Sequence, residues 1–215
     1  MSPHNTKSAS TKSPDTRTTV PRLHIIVDCI SLAEDAFAGG APAVQARIKK
    51  VNDAAVLAEC QRIVAAAQTS KAMVIINDRA DIALACGADG VHVGAEDLPV
   101  AAVRELVGPN LLVGATARDP ATALRHQNDG ASYLGVGPVY ASNSKRNLPK
   151  PLSPAGLAEV VTTVDVPVIA IAGISASQIP ELLDAGAHGV AVLGGVANAA
   201  SATQATAELM GALGG

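Results

Sequence analysis

Gln45, Arg47 and Lys49 alternate along the stretch AVQARIK, and an extended chain sends every second side chain to one face, so one amide and two cations point the same way. Two carboxylate-bearing pairs follow. Asn77-Asp78 closes the apolar run AMVIIN, and Glu96-Asp97 comes shortly after GVHV. Thr116 follows LLVGA, and the loop ASNSKRN carries Ser142, Ser144 and Lys145. Gly173 follows PVIAI, and GVAVL ends on Leu193 ahead of Gly194 and Gly195. Cations, carboxylates and hydroxyls in this mixture suit an anionic, oxygen-rich ligand. Two carboxylates, completed by water and phosphate oxygens, form the hard ligation that Mg²⁺ prefers. Backbone N–H groups at glycine turns can hold a phosphate.

Taken singly, several of these residues have plainer readings. Asn77-Asp78 can cap a helix starting near Arg79. Glu96-Asp97 can do the same ahead of Leu98-Pro99, with proline in the first turn. The ASNSKRN stretch can be an ordinary flexible loop. Arg47 and Lys49 resist such a reading, because two cations on an inward face are tolerated only beside an open mouth.

What must gather these residues is a repeated element. GADGVHVG, from Gly87, has near copies in GGAPAVQAR, DGASYLGVG and AGAHGVAVL, each a Gly-Ala followed by a short β-rich run. Their glycines, Gly40, Gly87, Gly130 and Gly186, are spaced by 47, 43 and 56 residues. Glycine accepts the left-handed backbone that ends a helix, so each copy predicts a helix-to-strand junction. The spacing is about two βα units, which implies an unmarked strand and helix between copies and eight strands in all. The predicted strands are RLHIIVD, AVQAR, AMVIIN, GVHV, LLVGA, SYLGV, PVIAI and GVAVL; DAAVLAECQRIVAAAQ and SASQIPELLDAGA read as helices between them. Strict βα alternation predicts an α/β fold, a single-domain TIM (β/α)8 barrel, with an open doubly wound sheet as its rival. In such a barrel, the residues named above all fall at the ends of strands that carry chemistry.

Composition bounds the function. The chain has 215 residues, 48 % hydrophobic and 16 % charged, enough for one large core. Sixteen basic against 19 acidic residues give a net charge of -3, no field for nucleic acid. No apolar run approaches the roughly 20 residues of a membrane span. Cys29, Cys60 and Cys86 are odd in number and widely spaced, which predicts a reduced, cytoplasmic protein. Phe37, Tyr133 and Tyr140 are the only aromatics, so Ala, Val, Ile and Leu must build the interior. Residues 1–21, rich in Ser, Thr, Lys and Pro, predict a disordered tail, with the barrel over 22–215.

VIINDRADIALACGADGVHVGAEDLPV, LLVGATARD, YLGVGPVYASNSK and PVIAIAGISASQIPELLDAGAHGVAVL together resemble the thiamine phosphate synthase (thiamine-phosphate pyrophosphorylase) family, from about Leu23 onward. The resemblance implies that hydroxymethylpyrimidine diphosphate and hydroxyethylthiazole phosphate are joined to give thiamine phosphate and pyrophosphate. It implies that Gln45, Arg47, Lys49 and Asn77 hold the pyrimidine diphosphate and that Asp78 and Asp97 ligate Mg²⁺. Thr116 stands where the family commonly has serine, and Lys145 matches the lysine on the departing pyrophosphate. Ser142 and Ser144 match threonines of the thiazole-side loop, while Gly173, Leu193 and Gly194 fall at the thiazole phosphate. The chain departs from the family at Ile48, where an acidic residue is usual, at Ala172 for glycine and at Gly194 for serine. Thiazole tautomerase of the same superfamily and a non-catalytic thiamine-precursor-binding relative are the alternatives. Self-association as a homodimer is expected of such barrels.

Overall fold

The computed structural model describes residues 19–142 and 148–214. Eight parallel strands run in chain order: β1 (Leu23–Val27), β2 (Ala43–Ala46), β3 (Met73–Asn77), β4 (Gly90–Val93), β5 (Leu112–Ala117), β6 (Tyr133–Val136), β7 (Val168–Ile171) and β8 (Gly189–Val192). Each pairs with its neighbours in sequence, and β1 closes on β8 through Leu23↔Val190 and Ile25↔Val192, so the predicted barrel is the observed one. The covering helices are α1 (Ile30–Ala38), α2 (Asp53–Ser70), α3 (Ala80–Cys86), α4 (Val100–Val107), α5 (Pro120–Asn128), α6 (Ser153–Val161) and α7 (Ile179–Asp184). Two more, α8 (Gly194–Ala197) and α9 (Ala202–Ala212), follow the last strand. Among the described residues, no helix is long and apolar enough to cross a membrane.

The Gly-Ala repeat has one physical cause. Gly40, Gly87, Gly130 and Gly186 all have left-handed φ, between 70° and 95°. The alanine after each, Ala41, Ala88, Ala131 or Ala187, donates its N–H to the carbonyl five residues back at 3.0 Å in every copy. This six-to-one bond is the helix-ending motif that satisfies orphan carbonyls at a C-terminus. Built on glycine, it sits before β2, β4, β6 and β8; α2 closes with the same bond, Ala72 N–H to the Ala67 carbonyl at 3.3 Å, but without a glycine. The intervening helices end differently, α2 on a left-handed Lys71, α4 on Gly108 and α6 on Thr162, so the visible period is two βα units.

Strand alternation sorts the interior into two cores. Leu23, Ile25, Val44, Val74, Val91, Val113, Leu134 and Val190 face the helices. Ile26, Ile75, Leu112, Tyr133, Ile169 and Ala191 fill the lumen. His24 and His92 are buried there as well. Room for them comes from missing side chains: a Cβ on Gly114 would lie 2.5 Å from His92 Nδ1 and 2.2 Å from Tyr133 Cζ, and one on Gly135 would lie 2.9 Å from His92 Cε1.

Three expectations need correction. Val20 and Pro21, assigned to the tail, belong to the fold: Val20 is 7 % exposed and packs into the lumen core, and its carbonyl accepts from His188 Nε2 at 2.9 Å. A single β-branched side chain closing the barrel floor leaves no periodic signal. Tail residues 1–18 lie outside the described residues. Thr116 sits within β5 rather than after it, because pairing with Gly135 carries the strand to Ala117. The predicted SASQIPELLDAGA helix is a 3₁₀ turn, Ala176–Gln178, followed by α7, since Pro180 can supply no N–H and sits in the first turn.

Two outcomes follow from the lumen. A chain starting at Pro21 loses the burial of Val20, about 1–3 kcal/mol, and should unfold at lower urea than one starting at Thr19; equal midpoints would remove Val20 from the floor. Burial first of all draws both His24 and His92 down from 6.5 to about 4. The unfolded histidines take up protons that the folded pair refuses, so stability is full above about pH 6.5 and falls as pH drops toward 4. Urea midpoints between pH 7 and pH 4.5 should fall less for His24→Leu than for the unaltered chain.

Candidate active site

The C-terminal ends of β2, β3 and β4 bring together the charged residues. Gln45 points into the lumen and is 4 % exposed. Two residues on, beyond the strand end, comes Arg47, whose N–H donates to the Val27 carbonyl at 2.7 Å and ties the segment to β1. Ile48 turns the other way and packs against the helix-side core, so the departure from an acidic residue leaves the inward face unchanged. Lys49 Nζ donates to Asp78 Oδ2 at 2.5 Å and is 46 % exposed, free enough to exchange partners.

Asp78 and Asp97 do not act as helix caps. α3 begins one residue beyond Arg79, which makes no side-chain cap, and Asp78 itself has left-handed φ of 66°. Its N–H donates to the His92 carbonyl at 2.8 Å, which fastens the turn to β4. Asp97 folds back on its own loop, accepting the Gly94 N–H at 2.8 Å, while Pro99 precedes α4. The two carboxyls stand close enough to shift each other's protonation. Burial opposes the charge on Asp78, yet the hydrogen bond from Lys49 and the neighbouring Asp97, with the charge of Arg47, bring its carboxyl below the usual range. Burial and then Asp78 raise Asp97. A cleft of about 330 Å³ opens beside Lys49, Asn77, Asp78 and Asp97. Arg79 bridges Asp53 at 2.7 Å and Asp81 at 2.6 Å on its rim.

The cluster fits Mg²⁺. Among the described residues, no three His, Cys, Asp or Glu side chains gather, so the chain offers two convergent carboxyls and no closed cage. Mg²⁺ is commonly held by one or two carboxylates, with waters and phosphate oxygens completing the octahedron.

The residues on the other wall are largely backbone. After β6 the chain runs along the end of β7, with the N–H of Val139 donating to the Ile171 carbonyl at 3.0 Å and that of Tyr140 to the Ala172 carbonyl at 3.2 Å. Ala172 and Gly173 are both left-handed, at φ 76° and 71°. A Cβ on Gly173 would lie 2.4 Å from the Ala141 carbonyl oxygen, so glycine is what lets the two loops touch. Leu193 borders the lumen core, and Gly194 opens α8. Ser142 is at the edge of this loop; Ser144 and Lys145 lie outside the described residues.

In a closed ring of eight, strands four apart stand opposite each other. The β2–β4 ends with Arg47, Lys49, Asp78 and Asp97 therefore face the β6–β8 ends with Gly173 and Gly194 across the mouth. Thr116 on β5 lies between the walls, with Oγ1 3.1 Å from His92 Nε2. His92 was missed as a site residue by sequence reasoning, although GVHV alternation directs it inward toward two strand glycines.

Comparison with known proteins finds relatives along most of the chain. The family described as thiamine monophosphate synthase matches residues 20–196. A thiamine-phosphate synthase of Anaeromyxobacter dehalogenans is 42 % identical over 208 residues, covering 95 % of this chain and 93 % of that protein. One of Salinispora tropica is 40 % identical over 201 residues, covering 89 % and 97 %. The solved thiamine phosphate pyrophosphorylase from Pyrococcus furiosus superposes with a TM-score of 0.83 at 32 % identity, covering 90 % of this chain and 95 % of its own.

Gly173→Ala tests the second wall. The added methyl meets the Ala141 carbonyl and its φ is costly for an L-residue, roughly 1–2 kcal/mol before any clash. The variant should melt lower than the unaltered chain, and an unchanged melting temperature would mean that the two loops separate freely.

Proposed function

The chain belongs to the thiamine monophosphate synthase family, and we propose that its barrel mouth joins hydroxymethylpyrimidine diphosphate to hydroxyethylthiazole phosphate, giving thiamine phosphate and pyrophosphate. The observation that carries this reading is the opposition of two anion-suited walls across one mouth, charged on β2–β4 and glycine-built on β7–β8. Two phosphorylated substrates anchored at opposite walls bring their reacting atoms together over the lumen. Positioning of that kind supplies much of the barrier reduction in a two-substrate reaction.

The carbon–oxygen bond to pyrophosphate breaks, the electron pair leaves with oxygen, and the thiazole nitrogen donates its pair to the resulting pyrimidinylmethyl cation. No proton moves and no protein nucleophile is needed. Arg47 and Lys49 stabilise the negative charge that grows on the leaving group, with Gln45 and Asn77 orienting the diphosphate. Lys145, by its match to the family, adds a third cation. Asp78 and Asp97 would hold Mg²⁺, which would supply positive charge to the diphosphate, and Lys49, half-exposed beside Asp78, is placed to reach a phosphate oxygen. Backbone N–H groups near Gly173, Leu193 and Gly194, with Ser142 and Ser144, hold the thiazole phosphate. The small side chain at Gly194 leaves that task to the backbone. The proposal extends to a cytoplasmic homodimer, which sedimentation of the purified chain tests.

A pyrophosphate-release assay should give product only when both substrates and Mg²⁺ are present. Asp78→Ala should lose most of the turnover, roughly the 3–4 kcal/mol of one preorganised charged contact at the transition state, while retaining the fold. Its far-ultraviolet spectrum should match the unaltered chain. Equal turnover at low Mg²⁺ would remove the carboxylate pair from the site, and no turnover of the unaltered chain with both substrates would remove the reaction.

A further inference from the structure

Two buried polar side chains beneath the mouth have no part in the reaction as derived above. Tyr133 and His92 are 1 % and 8 % exposed. The Tyr133 hydroxyl lies 3.1 Å from His92 Nδ1, and among the described residues this is its one hydrogen-bond partner. His92 Nε2 lies 3.1 Å from Thr116 Oγ1. Gly114 and Gly135 clear the space that this arrangement requires.

The direction of each bond follows from which groups have somewhere to put a proton. Both side chains lie in the apolar lumen and bond only to neutral groups among the described residues, so the phenol keeps its hydrogen and the imidazole is neutral and carries one. If Nδ1 held that hydrogen and donated it to Tyr133, the phenolic O–H would be left in the lumen with no acceptor, a costly state for a buried donor. Tyr133 therefore donates to Nδ1, which places the ring hydrogen on Nε2. Nε2–H then donates to Thr116 Oγ1, and the hydrogen of Thr116 must turn away from His92. Thr116 is partly exposed near the strand end, so the direction open to it is the mouth. The β-branched carbon restricts the rotamer further.

We propose that Tyr133, His92 and Thr116 form a one-way hydrogen-bond chain that fixes the Thr116 hydroxyl as a donor to the bound pyrimidine diphosphate. His92 and Tyr133 are positioning residues, and their assignment rests on the preceding reading of which substrate occupies this wall. The chain explains why the lumen holds a histidine between two glycines where aliphatic packing alone would be simpler.

Nuclear magnetic resonance of the full chain labelled with ¹⁵N-histidine reports which ring nitrogen is protonated, independently of turnover. His92 should show hydrogen on Nε2 and none on Nδ1, and the opposite tautomer or a charged ring at pH 7 would overturn the proposal. Tyr133→Phe should release the tautomer and raise KM for the pyrimidine diphosphate about tenfold, with KM for the thiazole phosphate unchanged. Thr116→Val should show the same selective loss, and the double variant should be no worse than Thr116→Val alone. Losses that multiply, or that fall equally on both substrates, would make Tyr133 a packing residue only. Should the unaltered chain turn over neither substrate, the reaction assignment fails, and the tautomer still decides the hydrogen-bond chain.

Discussion

Closing eight parallel strands into a ring sends every second side chain into a lumen that water does not fill, and the rest of the molecule depends on what that lumen accepts. Six apolar side chains occupy most of it, with Val20 sealing the floor. The polar exceptions include two neutral imidazoles that find partners at three of their four ring nitrogens, His24 Nδ1 having none among the described residues. His24 Nε2 donates to the Pro21 carbonyl at 3.0 Å, and His92 is bonded at both nitrogens. Charged side chains begin only where the strands end, at Arg47, Lys49 and Asp78. Desolvation decides that boundary: a buried unpaired charge costs far more than a neutral imidazole with two hydrogen bonds.

The same boundary explains what the sequence disclosed. Gly-Ala recurs because every second helix places glycine in its left-handed closing turn, so barrel order and strand number are legible as a spacing. The inward set Gln45, Arg47 and Lys49 is legible because strand alternation fixes a face before any tertiary contact is known. Asp78 was less legible. Its left-handed φ follows from a bond to the His92 carbonyl on the next strand, a contact 14 residues away, and until that is known Asn77-Asp78 reads equally well as a helix cap. The floor at Val20 was hidden for the same reason, being set by His188 from the far end of the chain.

Glycine serves two purposes here that composition cannot separate. At the bottom of the barrel, Gly40, Gly87, Gly130 and Gly186 accept a backbone angle. Inside it, Gly114 and Gly135 have ordinary angles and are needed for the space above them. Gly173 combines both, with left-handed φ and a carbonyl against it. The third kind ties the end of β7 to the loop after β6, so the wall suited to phosphate is also the one that sets where that loop departs.

A dissociative substitution places particular demands on such a lumen. Positive charge develops on the pyrimidinylmethyl carbon as pyrophosphate leaves, and an imidazolium below the mouth would oppose it. Burial keeps both lumen histidines neutral near pH 7, so they supply directed hydrogen bonds without a repelling charge. The cations stand instead on the β2–β4 wall, beside the carboxylates, the side on which the proposed reaction would release its anionic leaving group. Separation of the two charges within one mouth then costs little reorganisation, because each dipole and side chain already faces the charge that will appear. Buried neutral polarity below and paired charge at the rim are thus two results of one desolvation rule.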